Sequence, residues 1–244
     1  MKELLKHARS LQQKKFRDQH GQFLVQGPKV VGEALCARLE IVELLATDSM
    51  AEFMGLHDHR SVPAHELARI GTLESGNEVI AIVRKPEASP VLDLGADELV
   101  LALDGISDPG NLGTVIRVAA WFGIQRVWCS AGSVEVYNPK CVQASMGALF
   151  HVRTDHLDLP QTLHQQQEHG AAVYLASMEG RSVFAARLER KAILVLGSES
   201  HGLSEAVMAV PHQLISIPGG GAESLNVAMA ASALCMEFTR QRSA

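Results

Sequence analysis

The chain has 244 residues, 47% of them hydrophobic and 20% charged, with a mean hydropathy of +0.07. This balance excludes a disordered chain and leaves apolar material for one large core or two modest ones. The net charge of −5 is uneven: Lys2, Lys6, Arg9, Lys14, Lys15, Arg17 and Lys29 against Glu3 and Asp18 put +5 in residues 1–30 and −10 in the rest. A local basic face suits an RNA partner, although a solvated helix would look the same.

The longest weakly polar run, near 225–238, contains Asn226 and falls short of the roughly 20 apolar residues of a membrane span. The first ten residues lack the apolar stretch of a signal peptide, so a cytoplasmic protein without a membrane segment is expected. Cys36, Cys129, Cys141 and Cys235 form no C-x-x-C pair and are read as buried free thiols. His57 and His59 flank Asp58, but scattered histidines in loops are commoner than ligands, and no metal is expected.

In chain order, a polar basic helix is predicted over 3–15, a short strand over 23–26, and a helix opened by Gly27-Pro28 running to about 38, with Pro28 in the first turn. A strand over 41–46, a helix over 49–56 and a buried strand over 79–83 complete a small α/β unit. The proline- and acid-rich stretch 86–97 is the best boundary, giving a first domain of residues 1–88, a linker 89–97 and a second domain 98–244. There, apolar strands over 99–103, 126–129, 171–176, 192–196 and 214–217 alternate with helices over 112–122, 140–146, 163–168, 204–210 and 224–240. Continuous apolar strands separated by helices mean a parallel sheet covered on both faces, with ligands beyond the carboxyl ends of the strands.

Three loops at those ends carry polar residues. In LDGISDPGNLGTVIR, from position 103, Asp108-Pro109-Gly110 makes a turn, Asn111 is placed to cap the next helix, and Arg117 sits in an otherwise apolar helix, where it needs a partner or a purpose. In ILVLGSESHGLS, from 193, Gly197 and Gly202 bound an acidic turn with Glu199 at its tip. In ISIPGGGAESLNVAMA, from 215, three glycines precede Ser224, placed to cap the last helix, and Asn226 in its first turn. The glycine-rich fingerprints of dinucleotide and P-loop sites are absent. Ser200 resembles a hydrolase nucleophile elbow, but Ser198 stands where that turn needs glycine and no histidine follows His212, so a triad is a poor fit.

Together, DPGNLGTVIR, LGSESHGLS and IPGGGAESLNVAMA, in order, with NPKCVQASMGALFHV at 138–152, resemble the SpoU/TrmH family of RNA ribose 2′-O-methyltransferases in the SPOUT superfamily, from about residue 99 to the end. Residues 14–35 are similar to the ribosomal-protein-like RNA-binding module that precedes the catalytic domain in many members. The resemblance implies an α/β chain whose second domain is a parallel sheet closed by a trefoil knot. It also implies a homodimer and transfer of a methyl group from S-adenosylmethionine to a ribose 2′-hydroxyl of ribosomal or transfer RNA. Carried over by position, it implies a cofactor site at Ser177, Gly197, Glu199, Ile217, Pro218, Leu225 and Asn226, and a catalytic set of Arg117, Asn111, Glu199, Ser224 and Asn226. RNA contacts are expected from Lys14, Lys15, Arg17 and Lys29. This chain departs from the family in Gly219-Gly220-Gly221 after Pro218, where I-P-M is frequent, and in Ser200, where glycine is frequent. A chain of the same fold that binds RNA without catalysis is the alternative.

Overall fold

The computed structural model describes residues 1–73, 76–87, 90, 93–221 and 224–243. Parts of the expected linker and of the third loop, residues 89, 91, 92, 222 and 223, therefore lie outside the described residues.

The first sheet contains β1 (Gln22–Gln26), β2 (Ile41–Ala46), β3 (Arg60–Ser61) and β4 (Val79–Arg84), in the order β1-β4-β2-β3. It is antiparallel except for the short β2–β3 pair. Side chains alternate across a strand, and this sheet uses both faces. Leu24, Ile80 and Ile82 pack with Ala8, Leu11, Leu67 and Ile70, whereas Phe23, Val25, Val79, Ala81 and Val83 point into a second, larger core. Helices α1 (Lys2–Ser10), α2 (Lys14–His20), α3 (Pro28–Cys36), α4 (Asp48–Met54) and α5 (Ala64–Ile70) surround it. The expected first helix is two, broken at residues 11–13, where Leu11 turns into the core.

The second sheet has six strands, all parallel: β5 (Leu99–Asp104), β6 (Arg126–Ser130), β7 (Arg153–Leu157), β8 (Ala172–Ser182), β9 (Ala192–Gly197) and β10 (Gln213–Ser216), in the order β10-β8-β9-β5-β6-β7. Helices α6 (Pro109–Trp121), α7 (Pro139–Ser145), α8 (Leu159–Glu168), α9 (Glu205–Met208) and α10 (Val227–Arg242) connect and cover it. In β5 and β9, Leu101, Leu103, Leu194 and Leu196 fill one face, and Val100, Ala102, Ile193 and Val195 the other. Both faces are dry, which is why these strands read as unbroken apolar runs.

The larger core does not stop at either sheet. It runs from Phe23, Val25 and Val31 to Val136, Cys141 and Leu149 and on to β5 and β9. At the junction, Tyr137 packs on Phe23 with ring centroids 4.7 Å apart. Three of the four cysteines are buried, and burial pushes Cys129 and Cys235 up to about 12; Cys36, expected to be buried, is exposed. No described helix is long and apolar enough to cross a membrane.

Ion pairs tie α2 to the residue after β4 within the first unit. Lys14 and Lys85 both reach Asp18, at 2.6 and 2.8 Å, and their hydrogen bonds lower its carboxyl from 3.8 to about 2. A carboxylate lowered in the folded state stabilises fully above its unfolded value, and that contribution is lost as pH falls through the folded value. Asp18→Asn should therefore be less stable than the parent chain above pH 3.8, and the two should converge as pH approaches about 2. Acid unfolding followed by circular dichroism checks this, and a constant difference down to the lowest pH would dismiss the ion pairs as a source of stability.

Candidate active site

The site is assembled at the carboxyl ends of β5, β9 and β10. β5 ends at the buried Asp104, whose Oδ2 accepts from the Ser204 amide at 2.7 Å and so pins the start of α9 beneath β5. Pro109 occupies the first turn of α6, which makes Asp108, not Asn111, the helix cap: its Oδ1 accepts from the Asn111 amide at 2.8 Å. Lys140 binds the other oxygen of Asp108 at 2.7 Å, and these two bonds hold that carboxyl below the usual range. Relieved of capping, the half-buried Asn111 side chain bonds Glu199 and Asn226 instead.

Glu199 is the hub. Its Oε1 accepts from Asn111 Nδ2 at 3.0 Å, from Asn226 Nδ2 at 2.6 Å and from the Val227 amide at 3.3 Å. Asn226 Nδ2 also reaches Asn111 Oδ1 at 3.1 Å. Here too the cap differs from expectation. Asn226, not Ser224, caps α10, its Oδ1 accepting from the amides of Ala228 and Met229. The Glu199 charge thus sits where a helix N-terminus favours an anion. The turn carrying it is closed by reciprocal backbone bonds between Ser198 and Gly202, both 2.9 Å. Gly202 has φ +66°, and a Cβ on Gly197 would overlap the Gly202 carbonyl, so both glycines are required by the backbone.

Beside this cluster opens a cavity of about 650 Å3, within the range of small-molecule sites. Ser177, Gly197, Glu199, Ile217, Pro218, Ser224 and Leu225 all line it. Neighbours that the sequence did not single out, among them Met178, Glu179 and Met208, complete the wall. One wall exists because the β8–β10 register shifts between Leu214 and Ile215, leaving residues 176–180 without partners on β10. The sharp return needs Gly180, where a Cβ would lie 2.5–2.7 Å from the Ile215 backbone. An apolar strand followed by SMEGRS was the available signal for this excursion.

Arg117 does not join the cluster. It lies roughly 9 Å farther along α6 than Asn111 and about 120° around the helix. It is exposed and makes no hydrogen bond or ion pair among the described residues. Its face of α6 also carries Trp121, 84% exposed. Of the expected RNA contacts, Lys15 and Lys29 are exposed, and Lys14 is exposed but paired with Asp18. Arg17 is a correction. It is 2% exposed, and its guanidinium is committed to Glu135 and to the carbonyls of Leu11 and Gln12. It is a structural residue, and the basic segment offers one cation fewer than its composition implied.

The SpoU rRNA methylase profile matches residues 98–236, and that of the MRM3-like substrate binding domain matches residues 2–85. The chain is 27% identical over 237 residues to a 23S rRNA (guanosine(2553)-2′-O)-methyltransferase of Bacillus subtilis, covering 94% of this chain and 93% of the relative. Among solved structures, it is similar to a TrmH-family chain from Porphyromonas gingivalis, with a TM-score of 0.86, 40% identity and 97% of each chain covered. It is also similar to the SpoU methyltransferase AviRb from Streptomyces viridochromogenes in complex with AdoMet, with a TM-score of 0.87, 26% identity and 98% of each covered. With the profile spanning more than half of its length, and with Asn111, Glu199 and Asn226 of the three loops joined by hydrogen bonds beside one cavity, this chain belongs to the SpoU rRNA methylase family.

Proposed function

We infer that the protein transfers a methyl group from S-adenosylmethionine to a ribose 2′-hydroxyl of RNA. The observation that carries this reading is the Asn111–Glu199–Asn226 cluster at the lip of a cavity lined by backbone-rich, glycine-bounded loops. The cavity has the volume for a nucleoside-bearing cofactor, and Gly197 and Gly202 of the tightly packed 197–202 turn form part of its wall. Ser177, Gly197, Glu199, Ile217, Pro218 and Leu225, which line the cavity, are assigned to hold the cofactor, with Asn226 beside them outside the lining; when bound, the cofactor supplies the methyl group on an electrophilic sulfonium. No metal is required.

The chain's own task is alignment and charge. Holding the ribose oxygen in line is worth up to about 7–11 kcal/mol, and Asn111, Ser224 and Asn226 supply neutral donors and acceptors suited to orienting a ribose. Glu199 fixes both asparagines. Arg117, which lies outside the cluster and the cavity lining of its own chain, is assigned to stabilise the negative charge that develops on the ribose oxygen as its proton passes to water and the methyl group leaves the cofactor's sulfur. A guanidinium, a permanent cation, is a better electrostatic partner than a proton acceptor.

Residues 1–88 are assigned to RNA gripping through Lys14, Lys15 and Lys29, residues 89–97 to a linker, and residues 98–244 to methyl transfer. A homodimer in a cytoplasmic setting completes the reading. Exposed Trp121, Met229 and Met236 on α6 and α10 support the dimer, and free thiols are consistent with a reducing compartment. A trefoil knot belongs to the same reading, and it is consistent with a chain that leaves the edge strand β10 and returns to pack α10 against α6.

The test uses methyl-labelled S-adenosylmethionine and RNA from cells lacking this gene, separated into ribosomal and transfer fractions. Nucleoside mass spectrometry should find the label on ribose, and RNA affinity should fall with salt as phosphate contacts release counterions. Label on a base would overturn the reaction type. RNA binding without any transfer would leave a non-catalytic RNA-binding protein.

A further inference from the structure

We propose that Glu135 is a positioning residue that locks residues 1–88 against the loop carrying Asn111, and so sets where bound RNA is presented for methyl transfer. This rests on the assignment of RNA gripping to the first unit.

Glu135 lies in the loop between β6 and α7, in the second sheet's half of the chain, yet both of its carboxylate oxygens are taken by cations of the first. Oε2 accepts from Arg17 Nε and Nη2 at 3.1 and 2.6 Å, and Oε1 from Lys85 Nζ at 2.7 Å. The two cations come from separate places, α2 and the residue after β4. Arg17 is itself fixed by the Leu11 and Gln12 carbonyls at 2.9 and 2.8 Å, and Lys85 lies over the Tyr137 ring, 5.3 Å from its centroid.

On its other side, the Glu135 loop is tied to the loop that opens the active site. The Val134 amide donates to the Ile106 carbonyl at 2.8 Å, the Ile106 amide to Ser133 Oγ at 3.2 Å, and the Gly105 amide to Ser130 Oγ at 2.9 Å. Two residues after Ile106 comes Asp108, the cap of α6, which also receives Lys140 from α7. Hydrogen bonds joined by one- and two-residue stretches of backbone therefore lead from Arg17 to Asn111.

Apolar contact alone would not set this geometry. The Phe23–Tyr137 packing is strong but non-directional. A fork of two charge-assisted bonds on a largely buried carboxylate, with a third bond at its other oxygen, fixes an angle as well as a distance. Presentation is sensitive to such angles, because a misplacement of about 1 Å can cost about 100-fold in rate.

The experiment compares the full chain with Glu135→Gln and Lys85→Gln, using ribosomal RNA from cells lacking the gene. Melting temperature establishes that each variant is folded. In folded Glu135→Gln, RNA and S-adenosylmethionine dissociation constants should stay within about twofold while kcat at saturating RNA falls by about 10- to 100-fold. Lys85→Gln, which leaves the Arg17 fork in place, should give a smaller loss in the same direction, and it decides the matter if Glu135→Gln does not fold. An unchanged kcat in the folded variants, or a weakened RNA dissociation constant with kcat preserved, would overturn the proposal. Lack of methyl transfer by the parent chain would instead overturn the functional reading.

Discussion

Arg117→Ala should lower methyl transfer by about 100- to 1,000-fold, the loss seen when one donor to a developing oxyanion is removed. The structure separates this effect from the two that usually confound it. Arg117 is exposed and makes no hydrogen bond or ion pair among the described residues, so its truncation should change stability by no more than about 0.5 kcal/mol, as for ordinary surface substitutions. It does not line the cavity, so cofactor affinity by calorimetry should be preserved. Arg117→Lys keeps the charge but not the planar fork and should fall between the two. A fully active Arg117→Ala would move the stabilising cation elsewhere, and an early-melting one would make the residue structural.

Glu199→Ala should be nearly as damaging for a different reason. It removes the one oxygen that gathers Asn111, Asn226 and the Val227 amide. The freed groups lie at an open site where water can replace the carboxylate, so the melting temperature should move little. Both asparagines lose their common restraint, and a rate loss of about 100-fold is expected from misplacement alone. Because Glu199 also lines the cavity, cofactor affinity should weaken, unlike in Arg117→Ala. A double variant no slower than Glu199→Ala by itself would show that the two residues act in one step.

The elements most legible in the sequence are those whose burial is complete. β5 and β9 are apolar from end to end because both of their faces are covered, and the periodicity found them within a residue. What escaped is polar or short. β7, RTDHL, pairs only with β6 at the sheet edge and has no apolar run to betray it. β3 has two residues, and α5 buries only Leu67 and Ile70. β8 continues past residue 176 through SMEGRS, of which Ser177, Met178 and Glu179 line the cavity.

At the site, the glycines and polar residues of each loop were readable, but their meeting was not. Asn111 and Glu199 are 88 positions apart, and Asn111 and Asn226 are 115 apart. No local pattern encodes such a distance, and only the family resemblance anticipated it. The same limit explains Arg17. Counted as a charge, it is part of a basic segment; its partner, 118 residues away, removes it from the surface.

The core shared between the two sheets bears on how the chain is made. Residues up to Arg84 can close the layer around Leu24, Ile80 and Ile82 as soon as they leave the ribosome, since that layer draws only on residues 4–82. The opposite face, with Phe23, Val25 and Val83, waits for Tyr137 and Leu149. At about 5–20 residues per second, the roughly 65 residues in between take several seconds to arrive. For that interval the nascent first unit presents an unfinished apolar layer, a natural station for a chaperone, and a stalled or truncated translation product ending near residue 85 would keep it exposed.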